Sequence, residues 1–179
     1  MNNSNHSNIL IIGGGCAGIS VASRLKSLKS DLSISIIEPS EKSLYQAAWT
    51  LVGAGAYDVN STIKPMTSVM PNYVNWIKEY AESFSPESNS VKTSEGQYSY
   101  DYLVVCPGLK INFDGVAGLK ETLGKNNVCT NYSADMAVYT WECLKNLNGG
   151  TLLFTEPPMP IKCAGAPQKI AYLAADHLK

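Results

Sequence analysis

The chain's ordered pattern opens with four consecutive apolar residues, Ile9 to Ile12. An uninterrupted run of this kind suits a strand buried on both faces, as in a parallel sheet. Gly13-x-Gly15-x-x-Gly18 follows directly, and Ile19, Ala22, Leu25 and Leu28 then recur at helical spacing. The stretch LSISIIE predicts a second strand that ends at Glu38. Further on, YVNWIKEYAESFSP (73–86) reads as one strand with a turn at Pro86, and VKTS and QYSYDYLVV continue as strands. They predict a small antiparallel excursion before the chain returns to the parallel sheet. SYDYLVVCPG (99–108) reads as a buried strand closing in a small-residue turn at Gly108. Residues 110–130 form a glycine-punctuated connector. Ser133 is the expected N-cap of a helix with Asp135 in its first turn, a face of Ala137, Trp141, Leu144 and Leu147, and a stop at Asn148-Gly149-Gly150. TLLFT (151–155) then predicts a strand opening a second unit.

The fold class is therefore α/β: a Rossmann-like domain with a parallel sheet and small antiparallel excursion, plus the start of a second α/β nucleotide-type domain. The first domain segment is expected over 1–112, and the connector with the beginning of the second over 113–179.

Strand, glycine turn, helix, strand and acid form the dinucleotide fingerprint in its full context. Gly13 permits the tight turn, Gly15 admits a pyrophosphate close to the backbone, and Gly18 lets helix and strand pack. The helix N-terminus offers unpaired N–H groups and partial positive charge to phosphates. Glu38 can accept hydrogen bonds from ribose hydroxyls. The fingerprint alone does not separate FAD from NAD; its position close to the chain start favours FAD. A strand ending like the one at Gly108 commonly marks where the chain leaves an FAD domain.

Composition narrows the classes. The 179 residues are 45% hydrophobic and 16% charged, which suits a packed core, and the net charge of −1 argues against nucleic acid as a partner. No apolar run approaches the roughly 18 residues of a membrane span. The polar start MNNSNHSN is neither a secretory signal nor an Arg-rich transit peptide. Five cysteines stand at 16, 106, 129, 143 and 163 without a CxxC pair, as in a reduced cytosolic protein. His6 and His177 form no metal constellation.

Two stretches carry further chemistry. Residues 39–71 are too apolar for a disordered connection and are expected to fold over a cofactor, with Gln46 and Trp49 close to it; Tyr45 and Trp49 could equally be core aromatics. In IKCAGAPQKI (161–170) a cysteine stands where an α/β unit often carries a phosphate loop. Lys162 and the helix expected after Cys163 place positive potential near the sulfur, the setting that favours a reactive thiolate. Cys16 reads as a small packing residue with a backbone contact. Cys106 and Cys143 read as core, and the residues around Cys129 assign it no role by themselves.

The segments EPS…YQAAWTLVGAG, NYS…TWE and PIKCAGAPQKIAYLA together resemble the sulfide:quinone oxidoreductases, in the branch of the mitochondrial enzyme and its bacterial counterparts. The resemblance runs from Ile9 to about Leu178, and KCAGAPQK is its specific part. It implies a flavoprotein of the glutathione-reductase type that binds FAD, oxidises sulfide and passes two electrons to a membrane quinone, with a small-molecule sulfur acceptor. Cys163 matches one of two redox cysteines, and Cys129 is a weaker redox candidate through the resemblance alone. Cys16, Ala17 and Glu38 match FAD-contact positions, Gln46 a flavin-side contact and Ala81 a backbone contact at the adenine end. Gly13, Gly15, Gly18 and Gly108 complete the cofactor set. The implied location is cytoplasmic, peripheral to the inner face of the cell membrane. Ser43 and Ala47 depart from the HYYQP or HFYQP of many relatives. The second redox cysteine, a later FAD segment and the quinone region fall outside these 179 residues, so the chain is expected to be a fragment, a truncated reading frame or one part of a split protein, and inactive as an isolated piece. The alternatives are an NADH:quinone oxidoreductase of the same fold, against which the lack of a second GxGxxG argues, and a catalytically inactive FAD-binding fragment.

Overall fold

A computed structural model describes residues 5–179; the first four residues of the polar start lie outside the described residues. In chain order the elements are β1 (His6–Ile12), α1 (Cys16–Leu28), β2 (Ile34–Ile37), β3 (Lys42–Leu44), α2 (Trp49–Gly53), β4 (Ile63–Pro65), β5 (Val74–Ile77), β6 (Ala81–Ser85), β7 (Ser90–Thr93), β8 (Gln97–Val105), α3 (Leu119–Thr122), α4 (Ala134–Lys145) and α5 (Gly165–His177). They fall into two compact units. The first holds the residues up to Ser43 together with Lys64–Gly108; the second holds Leu44–Ile63 and Leu109–Lys179.

The first unit is built on a six-stranded sheet ordered β5-β2-β1-β8-β7-β6. β1 runs parallel to both β2 and β8, and β2 parallel to β5. β7 pairs antiparallel with β6 and β8, the predicted excursion. Alternation along β1 sends side chains to both faces. Leu10 and Ile12 pack with Ile37, Ile77, Val91 and Tyr100 on one side. Ile9 and Ile11 pack with Ile34, Ile36 and Ala22 of α1 on the other. Leu10 and Ile11 are fully buried, and each contributes about 1.5–3 kcal/mol on that account.

Two expectations fail in this unit. Residues 73–86 are not one strand: β5 closes one edge of the sheet, and β6 starts again at the opposite edge. The chain breaks where Glu79 turns to accept the Tyr98 hydroxyl at 2.9 Å. The strand at 99–108 is present as β8 but is not buried throughout. Tyr102 is the register partner of buried Ile9 and is itself 70% exposed, so cover of that face ends between β1 and β8.

The second unit is mainly helical. Trp49 and Val52 of α2 pack with Ala137 of α4, and Leu144 packs with Ile170 and Ala174 of α5. The Trp49 indole N–H donates to Thr62 Oγ1 at 3.2 Å, which satisfies its buried polar atom. Ser133 occupies the N-cap of α4 without a side-chain hydrogen bond. That helix ends at Lys145, ahead of the expected stop, because Asn146 Nδ2 donates to the Glu142 carbonyl at 2.7 Å and closes the last turn. The predicted strand TLLFT does not form, and Leu153 is 82% exposed. A strand needs a ladder partner for its backbone groups, and among the described residues none pairs with this segment.

Candidate functional site

In the first unit the glycine turn lies across the carboxyl ends of three parallel strands. Gly13 N–H donates to the Ile37 carbonyl at 2.9 Å, and Cys106 N–H donates to the Ile12 carbonyl at 2.7 Å. Gly13 has φ +98°, and a Cβ there would overlap the Cys106 carbonyl. A Cβ on Gly18 would overlap the Gly13 carbonyl. These two glycines thus make the close approaches the turn requires. Gly15 is different: it is exposed, has open space around it, and forms the N-cap of α1. Among the described residues no side chain caps this helix, and Cys16 and Ala17 begin it exposed. Their N–H groups are among the first-turn donors that an α-helix cannot satisfy internally.

Glu38 sits beside the turn. Its Oε2 accepts the Gly14 N–H at 2.8 Å and its Oε1 accepts the Ser40 N–H at 2.7 Å. Each carboxylate oxygen keeps a further acceptor site. Gly13, Gly15, Cys16, Ala17, Gly18 and Glu38 therefore come together as an open cradle with N–H donors at a helix start and an acid at the rim. Such a donor set fits a dinucleotide. Gly108 follows β8 in the same unit, exposed at φ +75°. Ala81 opens β6 there and packs partly against the core.

Gln46 and Cys163 belong to the second unit. Gln46 is exposed and starts a short 3-10 turn that leads into α2 and buries Ala48. Trp49 is 5% exposed in the core, the role of a core aromatic. Cys163 lies just before α5, and its thiol residue is exposed. Its backbone takes the left-handed region, φ 61°, which is uncommon for a residue with a side chain. Its carbonyl accepts the Ala166 N–H at 3.0 Å and the Tyr132 hydroxyl at 3.3 Å. Lys162 Nζ stands 5.9 Å over the Tyr132 ring. Burial raises the Tyr132 phenol above its ordinary range, with negative charge at Cys163 and Glu156 adding to this, so it remains a hydrogen-bond donor. The sequence alone gives Tyr132, in NYS (131–133), no role. Tyr132 and Cys163 are 31 residues apart, and no local pattern links them.

Cys129 is built differently. Burial pushes its thiol up to about 12, neighbouring Cys143 adds to the rise, and Thr140 opposes it. Among the described residues all five cysteines are free, and no group of three or more His, Cys, Asp or Glu could hold a metal ion. No helix among them is long and apolar enough to cross a membrane.

A strand–glycine turn–helix–strand–acid unit on a mostly parallel sheet defines a dinucleotide-binding domain. The chain belongs to the pyridine nucleotide-disulphide oxidoreductase family, whose pattern matches residues 7–137. Within that family it is similar to the mitochondrial sulfide:quinone oxidoreductase of Dictyostelium discoideum, 46% identical over 178 residues, a match covering 98% of this chain and 39% of that protein. The mitochondrial sulfide:quinone oxidoreductase of Mus musculus is 38% identical over 176 residues, with the same two coverages, 98% and 39%. Among solved structures, the sulfide:quinone oxidoreductase of the hyperthermophilic bacterium Aquifex aeolicus superposes with a TM-score of 0.63 at 30% identity, covering 79% of this chain and 32% of that one. The chain thus spans 39% of the length of these curated relatives.

Proposed function

We propose that this chain supplies the FAD cradle and a sulfide-reacting thiol of a sulfide:quinone oxidoreductase. The observation that carries the proposal is the exposed Cys163, in left-handed backbone at the head of α5, in a chain whose other unit carries a dinucleotide cradle. The names of the similar proteins support the pair of substrates, sulfide and a quinone.

FAD is the cofactor. Gly13, Gly15 and Gly18 let a pyrophosphate approach the backbone, the N–H groups of Cys16 and Ala17 can receive its charge, and Glu38 offers its remaining acceptor sites to a ribose. Gln46, Ala81 and Gly108 are assigned to the same cofactor on the family resemblance. When bound, FAD supplies a two-electron acceptor. Cys163 offers the thiolate, the reacting form, to the sulfide sulfur; joining the two sulfurs as a persulfide releases two electrons and two protons, for which bound FAD would be the acceptor. Oxidation of sulfide to the sulfane level releases two electrons. A membrane quinone finally takes them up, and a small-molecule acceptor removes the sulfur. The quinone implies peripheral contact with a membrane, at the inner face in a bacterial-type cell.

The test is an anaerobic absorption spectrum of the purified chain followed by a sulfide titration, with Cys163→Ser beside it. A yellow protein that bleaches with sulfide supports the proposal. In Cys163→Ser the bleaching rate should fall at least about a thousandfold, as for loss of a covalent nucleophile. A colourless protein, or a yellow one indifferent to sulfide, makes the chain an inactive fragment. Bleaching by NADH instead would favour the NADH:quinone reading.

A further inference from the structure

The thiol at position 163 is held by more than its own helix. We infer that Tyr132 is a positioning residue that clamps the Lys162–Cys163 turn and so presents the Cys163 thiol to its reactant. The inference rests on the reading of Cys163 as the reacting thiol.

Three observations carry it. A cysteine at φ 61° lies in a region that side chains disfavour, so surrounding contacts must hold it there. The helix provides one such contact, the Ala166 N–H on the Cys163 carbonyl at 3.0 Å. The second comes from outside the helix, the Tyr132 hydroxyl on the same carbonyl at 3.3 Å. The Tyr132 ring also lies beneath Lys162, with Nζ 5.9 Å from its centroid, in the geometry of a cation–π contact. One side chain therefore touches both residues of the turn, through its hydroxyl and through its face. Tyr132 is in turn anchored by its own N–H, which donates to Thr130 Oγ1 at 3.2 Å. Cys163 remains exposed throughout. The arrangement fixes the backbone and leaves the sulfur accessible, which a reacting thiol requires.

Tyr132→Phe removes the hydroxyl and keeps the ring under Lys162; Tyr132→Ala removes both. The readout is the alkylation rate of each cysteine with iodoacetamide, resolved by peptide mass spectrometry in the purified chain. Cys16, exposed in the other unit, is the internal reference, and half-buried Cys129 reports the fold. In Tyr132→Phe the Cys163-to-Cys16 rate ratio should fall about fivefold, the weight of one hydrogen bond, while Cys129 stays slow. In Tyr132→Ala it should fall further. A ratio unchanged or raised in Tyr132→Phe overturns the inference. So does a fall accompanied by fast Cys129 alkylation, because the effect then belongs to the fold. The assay needs neither flavin nor sulfide. The ratio can move even where sulfide bleaching fails, so failure of the clamp and failure of the sulfide reading are told apart.

Discussion

Two turns in this chain lead into helices of 13 residues each, α1 and α5, and among the described residues no side chain caps either helix. They are built in opposite ways. The turn before α1 presents backbone. Its glycines thread between strand ends, with Gly13 and Gly18 in close approaches and Gly15 open. The turn before α5 presents a side chain. It follows no strand, and a cysteine rather than a glycine takes the left-handed position. A phosphate is bound by N–H groups and needs Cβ atoms out of the way. A sulfur nucleophile needs the side chain itself, and the backbone must then be held by neighbours.

The comparison breaks if the first turn tolerates a side chain. Gly13→Ala forces a Cβ onto the Cys106 carbonyl at φ +98°. It should cost about 3 kcal/mol or more of stability and abolish flavin retention. Urea unfolding followed by circular dichroism, with flavin absorbance on the same samples, checks both. Unchanged stability would mean that the turn is not held as described. Glu38→Gln is milder. It keeps one acceptor oxygen and sets an amide NH₂ against a backbone donor, so one of the two charge-assisted bonds to Gly14 and Ser40 is lost. A loss of about 2 kcal/mol is expected in the same unfolding assay.

The second turn is sharpened by Cys163→Gly measured against Cys163→Ser. Both remove the thiol. Glycine adopts φ 61° without strain while serine does not. Cys163→Gly should therefore be more stable than Cys163→Ser by about 1 kcal/mol. Equal stabilities would show that the left-handed backbone is not strained by its side chain.

How much was legible follows the same division. The β1–turn–α1–β2–Glu38 unit could be read because every part lies within one short stretch and each has its own local signal: an apolar run, glycine spacing, helical periodicity and an acid. The hairpin strands around β7 were marked by turn residues. What failed depended on partners. Residues 73–86 hold strand-prone residues on both sides of the break at Lys78–Tyr80, and composition does not say which edge a strand joins. TLLFT has strand composition but no ladder to enter. Tyr102 belongs to a real strand whose outer cover a sequence pattern cannot report. The α4 stop was set by the Asn146 side chain, ahead of the glycine pair that marked it in sequence. The cysteine was conspicuous in KCAGAPQK, but its Tyr132 contact depends on the fold bringing distant residues together.

The smallest expected effect separates two thiols of the same unit. Cys163 is exposed; Cys129 is half-buried and its thiol is pushed up to about 12 from an ordinary 9.0, chiefly by burial. At pH 8 Cys129 should therefore alkylate far more slowly than Cys163, and its rate should climb only as pH approaches 12. The linkage has a definite sign. The folded chain holds the Cys129 proton more tightly than the unfolded chain, so between pH 9.0 and about 12 the folded state binds more protons and stability falls as pH rises. Below 9.0 the contribution is fully present. Cys129 is only partly buried, so solvent screening keeps the slope shallow. Cys129→Ser removes this part of the slope and leaves the rest of the profile in place. A wild-type profile that matches Cys129→Ser across that window would remove the contrast between a sheltered thiol on α4's flank and an exposed one at the head of α5.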